Sequence, residues 1–186
     1  MRSIYKIVVC SLLTLSITSC EKDLLEKEQY QKEIYLIGAY NRVWTTEVSY
    51  SNEEVKTYFT VSSSGTLALD RDVNVKMKIN EELVDIYNKK YWTVLNEDKY
   101  YKSLDTDLYS IPSLENTVIK HAEGISAEVP VLIKTASLKI DQSYVIPVEI
   151  ESTTGYPISE SGYKMLILLK LKNDYSGSYQ MSGHTT

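Results

Sequence analysis

Residues 73–79 read VNVKMKI and alternate strictly between apolar and polar side chains. In an extended chain the apolar residues point to one side and the polar residues to the other. This period of two predicts a β-strand with one face buried and one face in water. A shift of one residue would turn Lys76 and Lys78 into the core, so the register of the strand is well specified.

A short helix is predicted directly after this strand. Asn80 is a suitable N-cap, and Glu81 and Glu82 occupy the first turn, where the helix dipole favours negative charge. Apolar residues then recur at helical spacing at Leu83, Ile86 and Tyr87. We expect a helix near residues 81–90 that crosses between strands.

Short β-type stretches recur on both sides of the helix. They lie at residues 34–37, 43–50, 55–62, 100–101, 108–111, 127–133, 144–150 and 164–172. Pro130 and Pro147 fall inside two of them and predict edge strands or bulges, because proline lacks an amide donor. Many short strands, turns between them and a single helix predict a mostly β fold, a β-sandwich that spans residues 30–172.

Composition narrows the classes of function. Among 186 residues Phe59 is the one phenylalanine, whereas tyrosine numbers 16, which suits the half-buried rings of an exported β-domain. Residues 1–19 have the features of an export signal, which are described below. Without them the chain keeps 18 basic and 25 acidic residues, a net charge of −7. That charge argues against nucleic acid as a partner, since such binding depends on neutralising phosphates.

The N-terminus has the parts of an export signal. Two basic residues precede residues 7–17, which are mostly apolar but too short to span a membrane, since a span takes ~20 apolar residues. The Ile-Thr-Ser-Cys sequence at 17–20 resembles the lipobox of bacterial lipoproteins. The resemblance implies that residues 1–19 are a cleaved lipoprotein signal peptide and that Cys20 carries a diacylglycerol and an acyl chain. The alternative is an ordinary secretory signal.

Polar segments flank the predicted sandwich. Residues 20–29 are almost wholly charged or polar after the cysteine and predict a flexible tether. Residues 173–186 are polar and glycine-bearing, and they predict a linker or the start of a missing C-terminal domain. Cys10 leaves with the signal and Cys20 carries lipid, so the mature domain has no cysteine for a disulfide, a metal site or a nucleophile.

Two acidic patterns suggest chemistry but have simpler interpretations. Asp70 and Glu81 match the first and last ligand positions of a calcium-binding EF-hand loop, but Val75 stands where that loop needs glycine. A turn that leads into the strand is the better interpretation. Asp105 and Asp107 lie on a polar loop, and we interpret them as a solvated turn rather than the paired carboxylates of a glycosidase.

No catalytic constellation stands out in the sequence. The histidines His121 and His184 lack cysteine or serine partners in a recognisable motif, and the seven glycines are scattered. We therefore expect no enzyme activity, no catalytic residue, no metal site and no cofactor.

Aromatic residues are the remaining candidates for a binding site. Sugars bind proteins by stacking their C–H faces on exposed rings, while polar side chains take the hydroxyls. The candidates for sugar stacking are Trp44, Trp92, Tyr100 and Tyr101, with Tyr91 and Tyr109 beside them. The alternative interpretation is that both tryptophans are core or half-buried residues.

The order of these features resembles one family, the immunoglobulin-like N-terminal domain of unknown function found in surface lipoproteins of Bacteroides-type bacteria. The resemblance rests on Ile34-Tyr35-Leu36, the strand at 73–79 with Asn80, Leu83 to Asn88, Tyr100-Tyr101 and Tyr144 to Ile150. It covers residues 30–172 and implies an immunoglobulin-like β-sandwich with one short crossing helix. The chain departs from the family where Leu95 is followed by Asn96, since members usually have proline there.

The resemblance also implies a setting and a function. Such proteins tend to be encoded with outer-membrane glycan-utilisation machinery, and Glu21 and Asp23 resemble the acidic signal that sends lipoproteins to the cell surface. We expect a lipid-anchored protein of the outer membrane, facing outward, with a non-catalytic accessory role in glycan binding or uptake. Its expected partners are the membrane, a polysaccharide and glycan-uptake proteins. Two alternatives stay open: a structural spacer that docks a missing C-terminal domain or a partner protein, and the N-terminal fragment of a glycosidase.

Overall fold

The structure is a computed structural model that describes residues 27–51 and 53–172. The predictions for the signal peptide, Cys20, His184 and the C-terminal tail lie outside the described residues. The strands are β1 (Ile34–Leu36), β2 (Val43–Ser49), β3 (Glu54–Ser63), β4 (Val73–Ile79), β5 (Lys102–Ser103), β6 (Tyr109–Ser110), β7 (Thr117–Ile119), β8 (Ser126–Lys134), β9 (Tyr144–Thr153) and β10 (Lys164–Lys172). Within these residues there is one α-helix, α1 (Glu82–Tyr91), and there are 3₁₀ turns at Ala39–Asn41, Val94–Lys99 and Thr106–Leu108.

The strands form two sheets. One has the order β1-β3-β8-β6 and is antiparallel throughout. The other has the order β2-β10-β9-β4-β7, with β5 beside β9, and its β2–β10 and β5–β9 pairs are parallel. Buried residues from both sheets form one hydrophobic cluster, so the sheets pack face to face. The predicted β-sandwich with one helix is confirmed.

The main core lies between the two sheets. The alternation predicted for β4 is observed, because Val73, Val75 and Met77 are buried while the residues between them are exposed. Phe59 of β3 and Ile167 of β10 reach the same core from opposite sheets. Full burial of a side chain of this size stabilises the fold by about 1.5–3 kcal/mol, so the inward faces of the strands hold the sandwich together.

A second, smaller core lies on the outer face of the larger sheet. There α1 packs Leu83 and Val84 against Val145 of β9 and Leu166 of β10. The helix begins at Glu82. The amide N of Glu82 donates a hydrogen bond to Asn80 Oδ1 at 3.1 Å, which satisfies one free donor of the first turn. No helix within the described ranges is long and apolar enough to cross a membrane.

The predicted buried stripe of α1 is wrong at one position. Ile86 is 53% exposed, whereas Val84, which is not part of the predicted apolar spacing, is 5% exposed. The helix lies on the sheet along the stripe formed by Leu83, Val84, Tyr87 and Asn88. The first three apolar residues of a short helix fit more than one helical stripe, and packing against β9 and β10 selects between them.

The two strand prolines are accommodated differently from the prediction. Pro147 lies on β9, an inner strand between β10 and β4, so the predicted edge position is wrong, whereas the predicted irregularity of the strand is present where the β4–β9 register shifts between Lys76 and Met77. Its carbonyl accepts a hydrogen bond from the amide N of Asn80 at 3.1 Å, just past the end of β4. Its ring nitrogen faces the same side, so the missing N–H falls at the end of the β4–β9 ladder, whose last pair is Ile79 with Val148. Pro130 lies on β8, also an inner strand, but the neighbouring β6 pairs only with Leu132 and Ile133.

The segment after α1 also differs from the prediction. Tyr100 and Tyr101 were expected in a strand, but the strand starts at Lys102 and has two residues. It runs beside the start of β9, with Ser103 opposite Val145. A pair of adjacent tyrosines has high β propensity, yet here they lead out of a 3₁₀ turn and are placed by contacts with α1.

Candidate functional site

The four aromatic candidates do not form one platform. Trp44 lies on β2, the edge strand of the larger sheet, opposite Ile167 of β10. Paired residues share a face, and Ile167 faces the main core, so Trp44 points to that side as well. Trp92, Tyr100 and Tyr101 instead belong to the segment that follows α1.

Trp44 serves mainly to pack the turn before β2. Its ring lies against Gly38, where an added Cβ would be 2.5 Å from Trp44 Cε3. Gly38 also has φ +89°, a left-handed conformation that other residues rarely adopt. The indole thus packs on this glycine while 38% of the Trp44 surface stays exposed, and a role of Trp44 in sugar stacking stays a prediction.

A stack of three tyrosines stands on the surface beside α1. The ring centroids of Tyr87 and Tyr101 are 5.2 Å apart, and the two rings are 10° from parallel. The ring centroid of Tyr91 lies 4.5 Å from that of Tyr87, with the two rings tilted by 34°. We call Tyr87, Tyr91 and Tyr101 the tyrosine stack. Tyr91 is its solvent-facing member, with 48% of its surface exposed and Lys90 Nζ 5.4 Å from its ring centroid.

Asn88 positions the inner end of the tyrosine stack. Its Nδ2 donates to the carbonyl of Tyr101 at 2.9 Å, and its Oδ1 accepts from the amide N of Tyr101 at 3.0 Å. The side chain of Asn88 is buried, so these two bonds replace the water it loses. Through Asn88 the helix fixes the backbone of Tyr101 and hence the ring that stacks on Tyr87.

The hydroxyl of Tyr87 stays protonated over a wide pH range. Burial raises the pKa of Tyr87 to about 12, and the neighbouring Tyr101 adds to the shift. At neutral pH the Tyr87 hydroxyl is therefore neutral and can donate a hydrogen bond.

The other aromatic candidates contribute less exposed surface. Trp92 is half-buried, its Nε1 has no hydrogen-bond partner within the described residues, and Lys99 Nζ lies 5.6 Å from its ring centroid. Tyr100 is also half-buried. Tyr109 packs against the main core from β6, and burial raises its pKa to about 12. Tyr109 is thus a packing residue.

A cleft of about 110 Å³ opens next to the tyrosine stack, between α1 and β10. Its lining residues are Arg42, Leu83, Ile86, Tyr87, Lys164, Met165 and Leu166. Sequence reasoning missed Arg42 and Lys164 as site residues. Arg42 precedes β2 and Lys164 starts β10, and the parallel pairing of these strands brings the two together. No local sequence pattern predicts the pairing of β2 with β10.

The acidic group at residues 70–72 forms ordinary surface contacts. Asp70 accepts two hydrogen bonds from Arg71, at 2.9 and 3.0 Å, and one from the hydroxyl of Tyr156. The Arg71 guanidinium and the Tyr156 hydroxyl hold the pKa of Asp70 well below its usual range. The distance between Asp72 Oδ1 and His121 Nδ1 is 2.6 Å. The chain turns here and enters β4, as the sequence predicted.

The pair at 105 and 107 is a capping turn. Asp105 Oδ1 accepts a hydrogen bond from the amide N of Asp107 at 3.2 Å, at the start of the 3₁₀ turn Thr106–Leu108. In the part of the chain that the structure describes, no group of three or more His, Cys, Asp or Glu side chains is placed to hold a metal ion.

Comparisons with known proteins give the fold a family. A family model described as an N-terminal domain matches residues 30–157. No curated protein matches the sequence. Among solved structures, a multidomain protein including DUF1735 from Bacteroides ovatus is 20% identical, with a TM-score of 0.59 over 74% of this chain and 43% of its own.

Two further structures show the same fold. An auxiliary nutrient binding protein from Bacteroides thetaiotaomicron is 16% identical, with a TM-score of 0.59 over 75% of this chain and 47% of its own. EndoBT-3987 from Bacteroides thetaiotaomicron, solved with a Man5GlcNAc product, is 21% identical, with a TM-score of 0.53 over 74% of this chain and 30% of its own. The chain thus spans less than half the length of these structures. Since the family model covers most of the chain, the chain belongs to this family of N-terminal domains of unknown function, which DUF1735-type proteins of Bacteroides carry.

Proposed function

We propose that the protein is a surface lipoprotein with a non-catalytic accessory role in glycan binding or uptake. The observation that carries the proposal is the tyrosine stack, whose outer member Tyr91 is half exposed. The names of two structures with the same fold point to nutrients and glycans: one is an auxiliary nutrient binding protein, and the other was solved with a Man5GlcNAc product.

The tyrosine stack suits a sugar ring for three reasons. Its outer ring, Tyr91, presents a flat apolar surface to solvent, on which the C–H face of a pyranose packs. Its hydroxyls and the Lys90 ammonium next to Tyr91 offer donors for sugar hydroxyls. Asn88 and the packing of α1 hold the rings in place before a ligand arrives, so little side-chain entropy is lost on binding.

The proposed attachment uses Cys20. One acyl chain holds a protein only marginally at the membrane, whereas two or more signals anchor it stably. A lipidated Cys20 would carry three chains, and the residues between it and Glu28 would lift the sandwich away from the bilayer, since Glu28 itself accepts a hydrogen bond from the amide N of Leu67 at 3.2 Å. Glu21 and Asp23 support display on the outer surface of the cell.

Calorimetric titration of the full chain, purified in detergent, against a panel of polysaccharides tests the glycan role. We expect binding to at least one polysaccharide, and Tyr91→Ala should weaken it by about tenfold, since a tenfold change is about 1.4 kcal/mol and each buried CH₂-sized group contributes about 0.8 kcal/mol. The matched control is Tyr58→Ala on β3: Tyr58 is 44% exposed and has Lys56 Nζ 5.0 Å from its ring centroid. An equal loss of affinity in Tyr91→Ala and Tyr58→Ala would refute the proposal, and so would the absence of binding to any polysaccharide.

A second candidate function is that of a spacer or docking domain. It is favoured by the description of the family as an N-terminal domain and by the greater length of the structures with the same fold. Val94 and Leu95, which are exposed in the 3₁₀ turn after α1, offer an apolar contact for a following domain. Sequencing the coding DNA beyond codon 186 tests this candidate. An in-frame β-rich or glycosidase domain there would support it, and unrelated DNA would count against it.

A further inference from the structure

We propose that the cleft between α1 and β10 binds the carboxylate of a uronic acid unit in an acidic polysaccharide. This inference rests on the proposed glycan-binding function and names its ligand class. It is carried by two unpaired cations, Arg42 and Lys164, at the mouth of an otherwise apolar cleft.

The two cations lack protein partners. Within the described residues, the guanidinium of Arg42 makes no hydrogen bond or ion pair, whereas Arg71 forms two bonds to Asp70. Lys164 Nζ lies 4.4 Å from the ring centroid of Tyr163 and makes no ion pair there either. In a chain with a formal net charge of −5, two cations that line the same cleft without a carboxylate partner form a positive site.

The nearby carboxylate does not neutralise this pair. Glu149 is opposite Lys164 in the β9–β10 ladder, but it accepts a hydrogen bond from Asn80 and lies 3.9 Å from Lys78 Nζ. No acidic residue lines the cleft itself. The cleft is therefore complementary to an anion.

The backbone of Arg42 gives a second, independent indication. Arg42 has φ +63° and is the one residue other than glycine with positive φ in the described part of the chain. Its amide donates to Ala39 at 2.8 Å, and its carbonyl accepts from Leu166 at 2.8 Å, so the turn itself uses only backbone atoms. Glycine would satisfy this turn with less strain. A strained position that holds a long cation with no protein partner is typical of a functional site.

The shape of the cleft favours a carboxylate on a ring. Leu83 and Leu166 form an apolar floor, and Tyr87 provides an aromatic wall that belongs to the tyrosine stack as well. At about 110 Å³ the open cleft is smaller than the ~150 Å³ cavity that holds benzene, so it would take the carboxylate end of the sugar while the rest of the ring lies outside it. A guanidinium binds a carboxylate through two parallel hydrogen bonds. A uronic acid in the cleft would leave the next sugar unit at the tyrosine stack.

Titration of the full chain with three probes tests the inference: trigalacturonate, a neutral galactose trisaccharide and a sulfated disaccharide. We expect trigalacturonate to bind at least tenfold more tightly than the neutral trisaccharide, and its affinity to fall as salt is raised. Arg42→Gly should weaken trigalacturonate at least tenfold while the melting temperature stays the same or rises. Lys164→Gln should weaken it severalfold, and the control Lys170→Gln, on the same strand, should leave it unchanged.

The outcomes separate this inference from the proposed function. If Arg42→Gly binds trigalacturonate as well as the parent does, the cleft is not the site. If the neutral trisaccharide binds equally well and Tyr91→Ala abolishes that binding, the glycan role stands and the acidic ligand is wrong. If only the sulfated disaccharide binds, the carboxylate assignment is overturned. If no saccharide binds, both proposals fail.

Discussion

At the scale of single residues, Asn88 shows how one polar side chain can organise a surface. It is 4% exposed, and both ends of its amide bond the backbone of Tyr101, thirteen positions further along the chain. From the sequence, Asn88 is only a polar residue near the end of a predicted helix. Its role becomes visible only when the segment after α1 returns to the helix.

We predict that Asn88→Ala destabilises the protein by about 2–3 kcal/mol. The variant loses two hydrogen bonds and leaves buried donor and acceptor groups of Tyr101 without partners. Urea denaturation measures the change. The control is Asn96→Ala, which removes one bond to Thr93 at the surface and should cost less than about 0.5 kcal/mol. Equal effects in the two variants would contradict this role for Asn88.

Two tyrosines, Tyr109 and Tyr87, have a pKa raised by burial, and we expect the alkaline stability of the protein to depend in part on Tyr87. Its pKa is raised to about 12 by burial, above the ordinary value of 10.0, so the folded state favours the neutral hydroxyl. The unfolded state releases the proton first as the pH rises. The contribution to stability is therefore complete below pH 10 and is lost as the pH approaches 12.

We expect Tyr87→Phe to unfold at a higher pH than the parent protein, because phenylalanine has no proton to lose. Circular dichroism between pH 9 and pH 12 follows the transition, a window given by the two pKa values. Tyr58→Phe, on an exposed ring, is the control and should behave like the parent. An unchanged transition for Tyr87→Phe would show that the Tyr87 hydroxyl does not govern alkaline unfolding.

At the scale of elements, strands were easier to predict than the helix stripe. The alternation in β4 is strict, and in β3 it holds until Val61, after which Ser62 and Ser63 are both buried. One buried face follows directly from each pattern. The helix offers Leu83, Val84, Ile86 and Tyr87 as apolar residues, and these fit two neighbouring stripes. The outer face of β9 and β10 selects the stripe that contains Val84, since Val145 and Leu166 lie there.

We predict that Val84→Ala costs about 2 kcal/mol, since it removes buried methyl groups and leaves a gap under α1. The matched variant is Ile86→Ala, which lies on the exposed side of the same helix and should change stability by less than about 0.5 kcal/mol. Urea denaturation with tryptophan fluorescence compares them. A larger effect for Ile86→Ala would restore the stripe that the sequence spacing suggested.

At the scale of the whole molecule, the sandwich places distant segments side by side. The parallel pairing of β2 with β10 seats Val43 opposite Leu166, and it sets Arg42 and Lys164 at the same cleft. The tyrosine stack lies next to this cleft, because Tyr87 belongs to both. One outer face of the molecule thus carries both proposed sugar contacts.

The proposed attachment of the molecule to the membrane is tested by Cys20→Ala. We expect the parent chain to take up labelled fatty acid and to sediment with membranes, and the variant to do neither, since its thiol cannot receive a diacylglycerol. The control is Cys10→Ala, which lies inside the signal and should be processed and lipidated as the parent is. Acyl label on the Cys20→Ala variant would refute the lipobox assignment.

The β character of the chain and the inward faces of β3, β4, β8 and β10 follow from the amino-acid order alone, because alternation along a strand is a local property that burial of one face requires. The β2–β10 pairing, the stripe of α1 and the cleft with Arg42 and Lys164 required the folded molecule. Each depends on contacts between residues far apart in the chain, and no short sequence period records which distant strands lie side by side.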